Sequence, residues 1–229
     1  MADSMSINSM IEASSAQARA MDRMYGLQRH IYDFTRAYYL LGRDHLIKTL
    51  LPPETGAVLE MGCGTGRNLV AAAKQYPKAK FFGFDISTAM LETAGRAVHR
   101  NHLVGRVSLA QADASDFNAA KTFGVENFDR VFFSYTLSMV PAWQTAIGQG
   151  YKALKPSGEL HIVDFGQCQG LPAIAKSGLY AWLRRFHVTP RQDLAECLEV
   201  LATTTGASIS MTPLFHGYAM MAKVTKPTN

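Results

Sequence analysis

From residue 57 onward, short apolar runs alternate with amphipathic stretches along the chain. The runs are mostly apolar and do not alternate regularly between apolar and polar residues, which is typical of strands in a parallel sheet that helices cover on both faces. In chain order the pattern predicts strands at AVLEM, KFFGFDI, RVSLAQAD, FDRVFFSY and ELHIVDF, helices at RNLVAAAKQY, TAMLETAGRAVHR and WQTAIGQGYKAL, and a turn at KPSG. The sequence therefore predicts an α/β fold with a doubly wound, mostly parallel sheet.

The two ends of the chain add helices and a last pair of strands. Residues 17–50 are predicted to be helical as far as the helix-breaking segment LLPPETG. Residues 171–205 are predicted to be mainly helical, and ASISMTPLFHGYAMMAKV predicts two strands joined at FHGY. Because no repeat or linker interrupts the pattern, residues 1–229 are predicted to form a single domain, with a helical cap over the site at 1–50 and the sheet core at 51–229.

Composition limits the kinds of partner and compartment that fit the chain, but it does not identify one partner. The net charge of +5 and the pI of about 9.1 favour an anionic partner, such as an acidic membrane surface, a nucleic acid or an acidic metabolite. The three cysteines are scattered and form no CxxC pair, so the sequence predicts neither a disulfide framework nor a metal site and fits a reducing cytoplasm. No secretion signal or spanning segment is evident, which predicts a soluble or peripheral protein.

A glycine-rich turn follows the first predicted strand. Gly62, Gly64 and Gly66 lie in EMGCGTGRN, where a doubly wound sheet binds its ligand. A dinucleotide fingerprint needs its third glycine where Arg67 stands, and Glu60 suits an ammonium group better than a pyrophosphate. A nicotinamide-dependent oxidoreductase is therefore disfavoured, and a turn without any ligand remains an alternative.

The turn resembles motif I of the class I S-adenosylmethionine-dependent methyltransferases, and the resemblance extends over about residues 55 to 165. It implies a seven-stranded Rossmann-like methyltransferase sheet with an N-terminal helical extension, S-adenosylmethionine as donor, S-adenosylhomocysteine as product, and no metal. It also implies that Asp85, followed by Ile86, accepts hydrogen bonds from the ribose, and that Asp113 with Ala114 lies near the adenine. Glu60 is expected to orient the methionine ammonium of the donor.

The predicted N-terminal helix has an unusual polar face. At spacings of three and four it carries alternating phenols and guanidiniums, namely Tyr25, Arg29, Tyr32, Arg36, Tyr39 and Arg43. Such groups suit a headgroup that carries both an anion and a quaternary ammonium. The alternative is a solvated basic helix, in which Asp33 pairs with neighbouring arginines.

The same segment, QRHIYDFTRAYYLLGRD, resembles the N-terminal signature of bacterial diacylglyceryl-homoserine N-methyltransferases, which complete betaine lipids. The family has basic residues where this chain has Gly26 and Ala37. The resemblance implies successive methylation of one amine. It assigns Tyr32 and Arg43 to the methionine carboxylate of the donor, and it assigns the lipid headgroup to Tyr25, Arg29, Arg36, Tyr39 and, at the end of the fifth strand, Asp164.

Methyl transfer from a sulfonium to nitrogen requires alignment of the two atoms and a neutral amine. The candidates for taking the amine proton are Tyr25, His30, Tyr32 and Tyr135, with Asp164 as a further possibility. Phosphatidylethanolamine, ornithine lipids and soluble amines remain alternative acceptors.

A nucleic acid is not expected as a partner, because SYTLS stands where many nucleic-acid methyltransferases have DPPY or NPPY. The segment SGLYAWLRRFHV has the composition of an interfacial helix, although a core-packing helix explains it equally well. We therefore expect a cytoplasmic protein, peripheral at the inner face of the membrane, whose partners are an amino lipid and an anionic membrane surface.

Overall fold

A computed structural model describes residues 40–168, 170, 173–184 and 188–228. Within these ranges the helices are α1 Arg43–Thr49, α2 Arg67–Gln75, α3 Thr88–Arg100, α4 Ala119–Phe123, α5 Trp143–Lys152, α6 Ala173–Arg184 and α7 Leu194–Thr205. The strands are β1 Ala57–Met61, β2 Lys80–Asp85, β3 Val107–Gln111, β4 Phe128–Ser134, β5 Leu154–Phe165, β6 Ser208–Leu214 and β7 Ala219–Thr225.

The seven described strands form one sheet in the order β3-β2-β1-β4-β5-β7-β6. Strands β1 to β5 are parallel to one another. Strand β7 is antiparallel to both β5 and β6. The prediction of a doubly wound, mostly parallel sheet is confirmed, and the last two strands meet at FHGY as expected.

The central strands are buried on both faces, which explains why their sequences are mostly apolar and do not alternate regularly. In β4, Phe132 packs in the cluster that contains Leu46 and Leu69 from α1 and α2. The next residue, Phe133, packs in the opposite cluster with Ile147 and Leu198 from α5 and α7. The sheet therefore lies between two helical layers, and the carboxyl ends of β1, β2, β3 and β4 open on one edge.

Local details differ from the sequence prediction in the second half of the chain. KPSG is not a turn before β5, because Phe128 pairs with Leu154 and, after an irregularity, Arg130 pairs with Glu159. The four residues are therefore an excursion within a longer strand, with Ser157 at φ 59°. The short helix α4 and a 3₁₀ turn at Ala114–Asp116 were not predicted, since both are too short to show a helical period.

The helix predicted over residues 17–50 does not run unbroken to its end. The described helix α1 begins at Arg43, and Gly42 before it has φ 86° in the left-handed region. A Cβ at Gly42 would lie 3.1 Å from Leu214 Cδ1, so the close approach of β6 also favours glycine here. The predicted helix is thus interrupted at Gly42, and its part before residue 40, with Tyr39, lies outside the described residues.

The helix α6 belongs in part to the core. Leu183 is 1% exposed and packs within the described core, whereas Trp182 is 37% exposed. No helix within the described ranges combines the length and the apolar character that a membrane span requires.

Candidate active site

A cavity of about 450 Å³ opens at the carboxyl ends of β1, β2, β3 and β4. This volume lies in the range of sites for small organic ligands. The residues that line it and bear on the chemistry are Leu40, Arg43, Glu60, Gly62, Gly64, Arg67, Asn68, Asp85, Ile86, Met90, Asp113, Ala114, Tyr135, Thr136, Met139 and Val140. Most of the donor-binding residues expected from the sequence therefore lie on one cavity.

The glycine turn forms the floor of the cavity between β1 and α2. Gly64 has φ 52°, and a Cβ built on it would meet nothing within 4 Å, so its backbone is open to a ligand. At Gly62 a Cβ would lie 2.3 Å from Thr136 Cγ2, so the glycine admits the segment that follows β4. Gly66, also predicted to bind the cofactor, is not among the described residues that line the cavity, and a Cβ on it would lie 3.0 Å from Ala94 Cβ.

Asp85 connects the second strand to the glycine turn. Its Oδ2 accepts a hydrogen bond from the Gly64 N–H at 2.8 Å, and its Oδ1 accepts one from the Ser87 N–H at 3.0 Å. The carboxylate therefore both lines the cavity and holds the turn in place. The side chains of Ile86 and Met90 lie beside it on the wall and offer apolar contact to a flat base.

The third strand contributes a second acidic turn. Asp113 Oδ1 accepts hydrogen bonds from the Ser115 N–H at 2.8 Å and from the Ser115 hydroxyl at 2.7 Å. Asp113 and Ala114 both line the cavity, at its β3 side. The Gln111 side chain donates to the Ile86 carbonyl at 3.0 Å and so ties this turn to the one after β2.

Glu60 is the most unusual group in the cavity wall. Its side chain is buried, and its Oε1 accepts from Asn68 Nδ2 at 2.8 Å. Its Oε2 has no hydrogen-bond partner among the described residues. Burial raises the pKa of Glu60 to about 8, against the smaller opposing effect of the Asn68 hydrogen bond. A buried carboxylate oxygen that lacks a partner is complementary to a ligand ammonium group.

Two arginines lie near Glu60. The Arg67 guanidinium pairs with Asp44 at 2.7 Å, and the Arg43 Nε–H donates to the Leu40 carbonyl at 3.1 Å. Both side chains line the cavity, so a carboxylate that accompanies the ammonium would meet positive charge. An α-amino acid group therefore fits this end of the cavity.

Tyr135 lines the cavity, but its hydroxyl is hydrogen-bonded to the backbone. The hydroxyl donates to the Leu41 carbonyl at 2.5 Å, and the ring meets Phe165 edge-on at a centroid distance of 4.7 Å. Burial raises the pKa of Tyr135 above the ordinary range of a phenol. The sequence predicted a proton acceptor here; in the structure, Tyr135 instead anchors residues 40–42, which lead into Arg43.

We therefore expect Tyr135→Phe to weaken donor binding without removing a base. The substitution should lower the free energy of unfolding by about 1 kcal/mol and weaken S-adenosylhomocysteine binding several-fold, because the segment before Arg43 loses its anchor. The pH dependence of methyl transfer should not change, and titration calorimetry with pH–rate profiles would measure both effects.

Tyr76→Phe is the matched control for that variant. The Tyr76 hydroxyl donates to the Ile47 carbonyl at 2.9 Å, which is a similar bond to the far end of α1. This control should lose similar stability and keep its donor affinity. A fall of a hundredfold or more in rate for Tyr135→Phe, with a changed pH profile, would instead restore the tyrosine to the role of base.

Asp164 was expected to bind the substrate, and the structure gives it another position. Its Oδ2 accepts from the Ser138 N–H at 3.1 Å and its Oδ1 from the Phe165 N–H at 2.8 Å. The carboxylate is buried, and burial raises its pKa. Asp164 is not among the described residues that line the cavity. Asp164 therefore supports the segment after β4 from behind.

The remaining predicted site residues lie outside the described residues and stay predictions. They are Tyr25, Arg29, His30, Tyr32, Arg36 and Tyr39. Sequence reasoning missed Asn68, Thr136 and Met139, which all line the cavity. Asn68 could have been found, since a polar residue in the first turn of an otherwise apolar helix follows directly on the glycine turn.

Residues 58–158 match the family model described as "Methyltransferase domain". Among curated proteins, the chain is 33% identical over 110 residues to a malonyl-[acyl-carrier protein] O-methyltransferase of Priestia megaterium, covering 48% of this chain and 37% of that protein. It is 30% identical over 145 residues to the ubiquinone/menaquinone biosynthesis C-methyltransferase UbiE of Syntrophotalea carbinolica, covering 63% of this chain and 57% of that protein. The match thus spans little more than a third to a little over half of these relatives.

Solved structures of methyltransferases share the fold. An O-methyltransferase family protein from Burkholderia thailandensis superposes with a TM-score of 0.69 at 17% identity, over 90% of this chain and 62% of that one. Phosphoethanolamine N-methyltransferase 2 of Haemonchus contortus, solved with S-adenosyl-L-methionine, gives a TM-score of 0.63 at 19% identity, over 81% of this chain and 52% of that one. At these identities the likeness establishes the fold alone.

Proposed function

We propose that this chain, whose residues 58–158 match a methyltransferase-domain model, is a class I S-adenosylmethionine-dependent enzyme that transfers methyl groups to the amine of a lipid headgroup. The observation that carries the donor half of the proposal is the buried Glu60 carboxylate, whose Oε2 has no partner among the described residues. A cationic α-amino group supplies the missing partner, whereas the pyrophosphate of a dinucleotide would add a second anion beside it.

The three acidic groups divide the cavity along the sheet. Asp113 follows β3, Asp85 is the last residue of β2 and Glu60 is the next-to-last residue of β1, and these strands are neighbours in that order. In the proposed complex, adenine lies by Asp113, the ribose by Asp85 and the amino-acid part by Glu60. This arrangement leaves the next strand, β4, to face the acceptor.

Bound S-adenosylmethionine supplies a methyl group on a positively charged sulfur. The chain's own part is to align donor and acceptor and to exclude water, and no covalent enzyme intermediate is required. On the β4 side the wall consists of the Tyr135 ring, Thr136, Met139 and Val140, with Leu40 nearby. These side chains suit an acceptor with apolar surface next to its reacting group.

An amine acceptor must reach the donor in its neutral form. Among the described residues, Tyr135 and Asp164 are both committed to backbone partners, so neither supplies a free base at this wall. Burial of the amine next to a positive charge lowers its pKa, which favours loss of the proton before transfer. Tyr25, His30 and Tyr32 remain the proposed proton acceptors.

The lipid part of the proposal rests on charge and on the N-terminal sequence. The net charge of +5 supports contact with an anionic membrane surface, at which the protein would act peripherally from the cytoplasmic side. The resemblance of residues 28–44 favours diacylglyceryl-homoserine as acceptor, with phosphatidylethanolamine, ornithine lipids and soluble amines as alternatives. Tyr25, Arg29, Arg36 and Tyr39 are proposed to bind its headgroup.

A second candidate function comes from the curated relatives. The names of these relatives describe C-methylation in ubiquinone and menaquinone biosynthesis and O-methylation of malonyl-[acyl-carrier protein]. The apolar wall on the β4 side also suits a prenylated quinol, so C-methylation of such a ring is the runner-up.

One experiment separates these acceptors. The purified chain is incubated with methyl-labelled S-adenosylmethionine and, in separate reactions, a total bacterial lipid extract, demethylmenaquinol and malonyl carrier protein. We expect label in an amino lipid that gains successive methyl groups by mass spectrometry. Label only in the quinol or only in the carrier protein would refute N-methylation, and stabilisation by NAD but not by S-adenosylhomocysteine would refute the donor assignment.

A further inference from the structure

Residues 135–140, which we call the acceptor wall, follow β4 and face the cavity at both of their ends. Thr136, Met139 and Val140 line the cavity, whereas Leu137 and Ser138 are buried behind it. The wall is a turn, with the Met139 N–H donating to the Thr136 carbonyl at 2.9 Å. Since so short a turn leaves several backbone groups without internal partners, its shape depends on what bonds them from behind.

Arg191 bonds the wall at two points. Its Nε–H donates to the Leu137 carbonyl at 2.9 Å, and its Nη2 donates to the Val140 carbonyl at 2.8 Å. The guanidinium carbon also lies 5.8 Å from the centroid of the Trp143 ring, at the start of α5. A planar fork that spans two carbonyls fixes their separation, which a flexible ammonium cannot do.

Two further bonds fix the residue between these points. The Ser138 N–H donates to Asp164 Oδ2 at 3.1 Å, and the Thr189 N–H donates to the Ser138 carbonyl at 2.9 Å. The backbone of residues 137–140 is therefore held by β5 on one side and by the segment between α6 and α7 on the other. None of the three bonding residues lines the cavity.

We propose that Arg191, supported by Asp164, is a positioning residue that sets the shape of the acceptor wall and thereby the affinity for the acceptor. The proposal rests on the proposed function, in which residues 135–140 face the acceptor. Arg191 does not touch the acceptor; it acts through the carbonyls that it holds. Arg191 bonds the carbonyls of Leu137 and Val140 and does not bond Tyr135, which anchors the segment before Arg43, so donor binding is expected to be independent of Arg191.

The test compares Arg191→Ala with the matched control Arg106→Ala. The Arg106 guanidinium also holds backbone carbonyls, those of Ala73 at 2.7 Å and Tyr76 at 3.3 Å, and neither residue lines the cavity. Both variants should lose a similar amount of thermal stability. Only Arg191→Ala should accelerate amide hydrogen exchange in residues 135–140, by at least about tenfold, and leave the dissociation constant for S-adenosylhomocysteine unchanged within about twofold.

Kinetics with the lipid extract complete the test. For Arg191→Ala we expect the KM for the lipid acceptor to rise at least about fivefold with a much smaller change in kcat. Arg191→Lys should recover part of this loss, since an ammonium can reach one of the two carbonyls, and it serves as the readout if the alanine variant does not fold. Equal exchange and equal KM changes in the Arg191 and Arg106 variants would overturn the proposal.

The exchange measurement needs no acceptor, so it separates the two proposals. If the parent methylates no lipid while Arg191→Ala still loosens residues 135–140 alone, the proposed lipid activity fails and the role of Arg191 in holding the wall stands. If the parent methylates lipid and the Arg191 variants retain the parental KM, the positioning role fails and the activity stands.

Discussion

Replacing Asp85 with alanine should weaken S-adenosylhomocysteine binding by at least about a hundredfold. The substitution removes the proposed hydrogen bonds to the ribose. It also removes the hydrogen bond of 2.8 Å that the Gly64 N–H donates to Asp85 Oδ2. Loss of that bond releases the glycine turn on which the ligand lies, so both effects act in the same direction. Titration calorimetry would measure the affinity, and methyl transfer should fall in parallel at a fixed donor concentration.

Two controls make the Asp85 result specific. Asp85→Asn keeps an oxygen that can accept from Gly64 and should therefore bind the ligand more tightly than the alanine variant. Asp116→Ala removes an exposed carboxylate from the turn after β3, outside the cavity wall, and should bind like the parent. An Asp85→Ala protein with parental affinity would mean that the nucleoside lies elsewhere.

Replacing Glu60 with glutamine should make the ligand-free protein relatively more stable at alkaline pH while weakening donor binding. Burial raises the pKa of folded Glu60 to about 8 from 4.5. A raised pKa stabilises the fold below the unfolded pKa, and that contribution is lost as the pH rises through the folded pKa. Between about pH 6 and about pH 8.5 the free energy of unfolding of the parent should fall by about 2–3 kcal/mol because of this carboxyl group. The glutamine variant should not show this fall.

Ligand binding, unlike the stability of the ligand-free protein at alkaline pH, is favoured by glutamate over glutamine at residue 60. A neutral glutamine cannot neutralise the ammonium group, so we expect S-adenosylhomocysteine to bind the variant about tenfold to a hundredfold more weakly. Denaturant unfolding at the two pH values, with and without ligand, would measure both effects. Glu54→Gln, at an exposed glutamate that pairs with Lys78, should show neither of them. A Glu60 variant with the parental dependence on pH would mean that the carboxylate is not desolvated.

The fold was largely predictable because the signals that specify it are local and repeated. Mostly apolar runs such as AVLEM and FDRVFFSY appear where both faces of a strand are covered, and each helix between them shows its own period. The prediction was wrong where a long-range contact decides the local structure. Gly42 interrupts the predicted helix at φ 86°, and a Cβ on it would lie 3.1 Å from Cδ1 of Leu214, 172 residues later in the chain. The excursion within β5 likewise depends on pairing with Phe128.

The site was predictable where its residues lie at the end of a strand or in the turn that follows it. Glu60, Gly64 and Asp85 could be located because a strand end and a turn place them at the same edge of the sheet. Asp164 also ends a strand, yet its carboxylate turns to Ser138, and nothing in its own neighbourhood in sequence indicates that partner. The positions of Arg191 and Tyr135 likewise depend on backbone carbonyls, which have no signature in sequence.

The order of the strands also affects how the chain matures. Residues 40–140 supply the described cavity wall, but the far edge of β5 pairs with β7, in which Thr225 lies opposite Glu159. The described residues that line the cavity are therefore synthesised before Leu160 and Ile162 acquire their neighbouring strand. Until that strand emerges, an apolar strand edge is open to other chains, so nascent and C-terminally clipped forms should be the ones that aggregate.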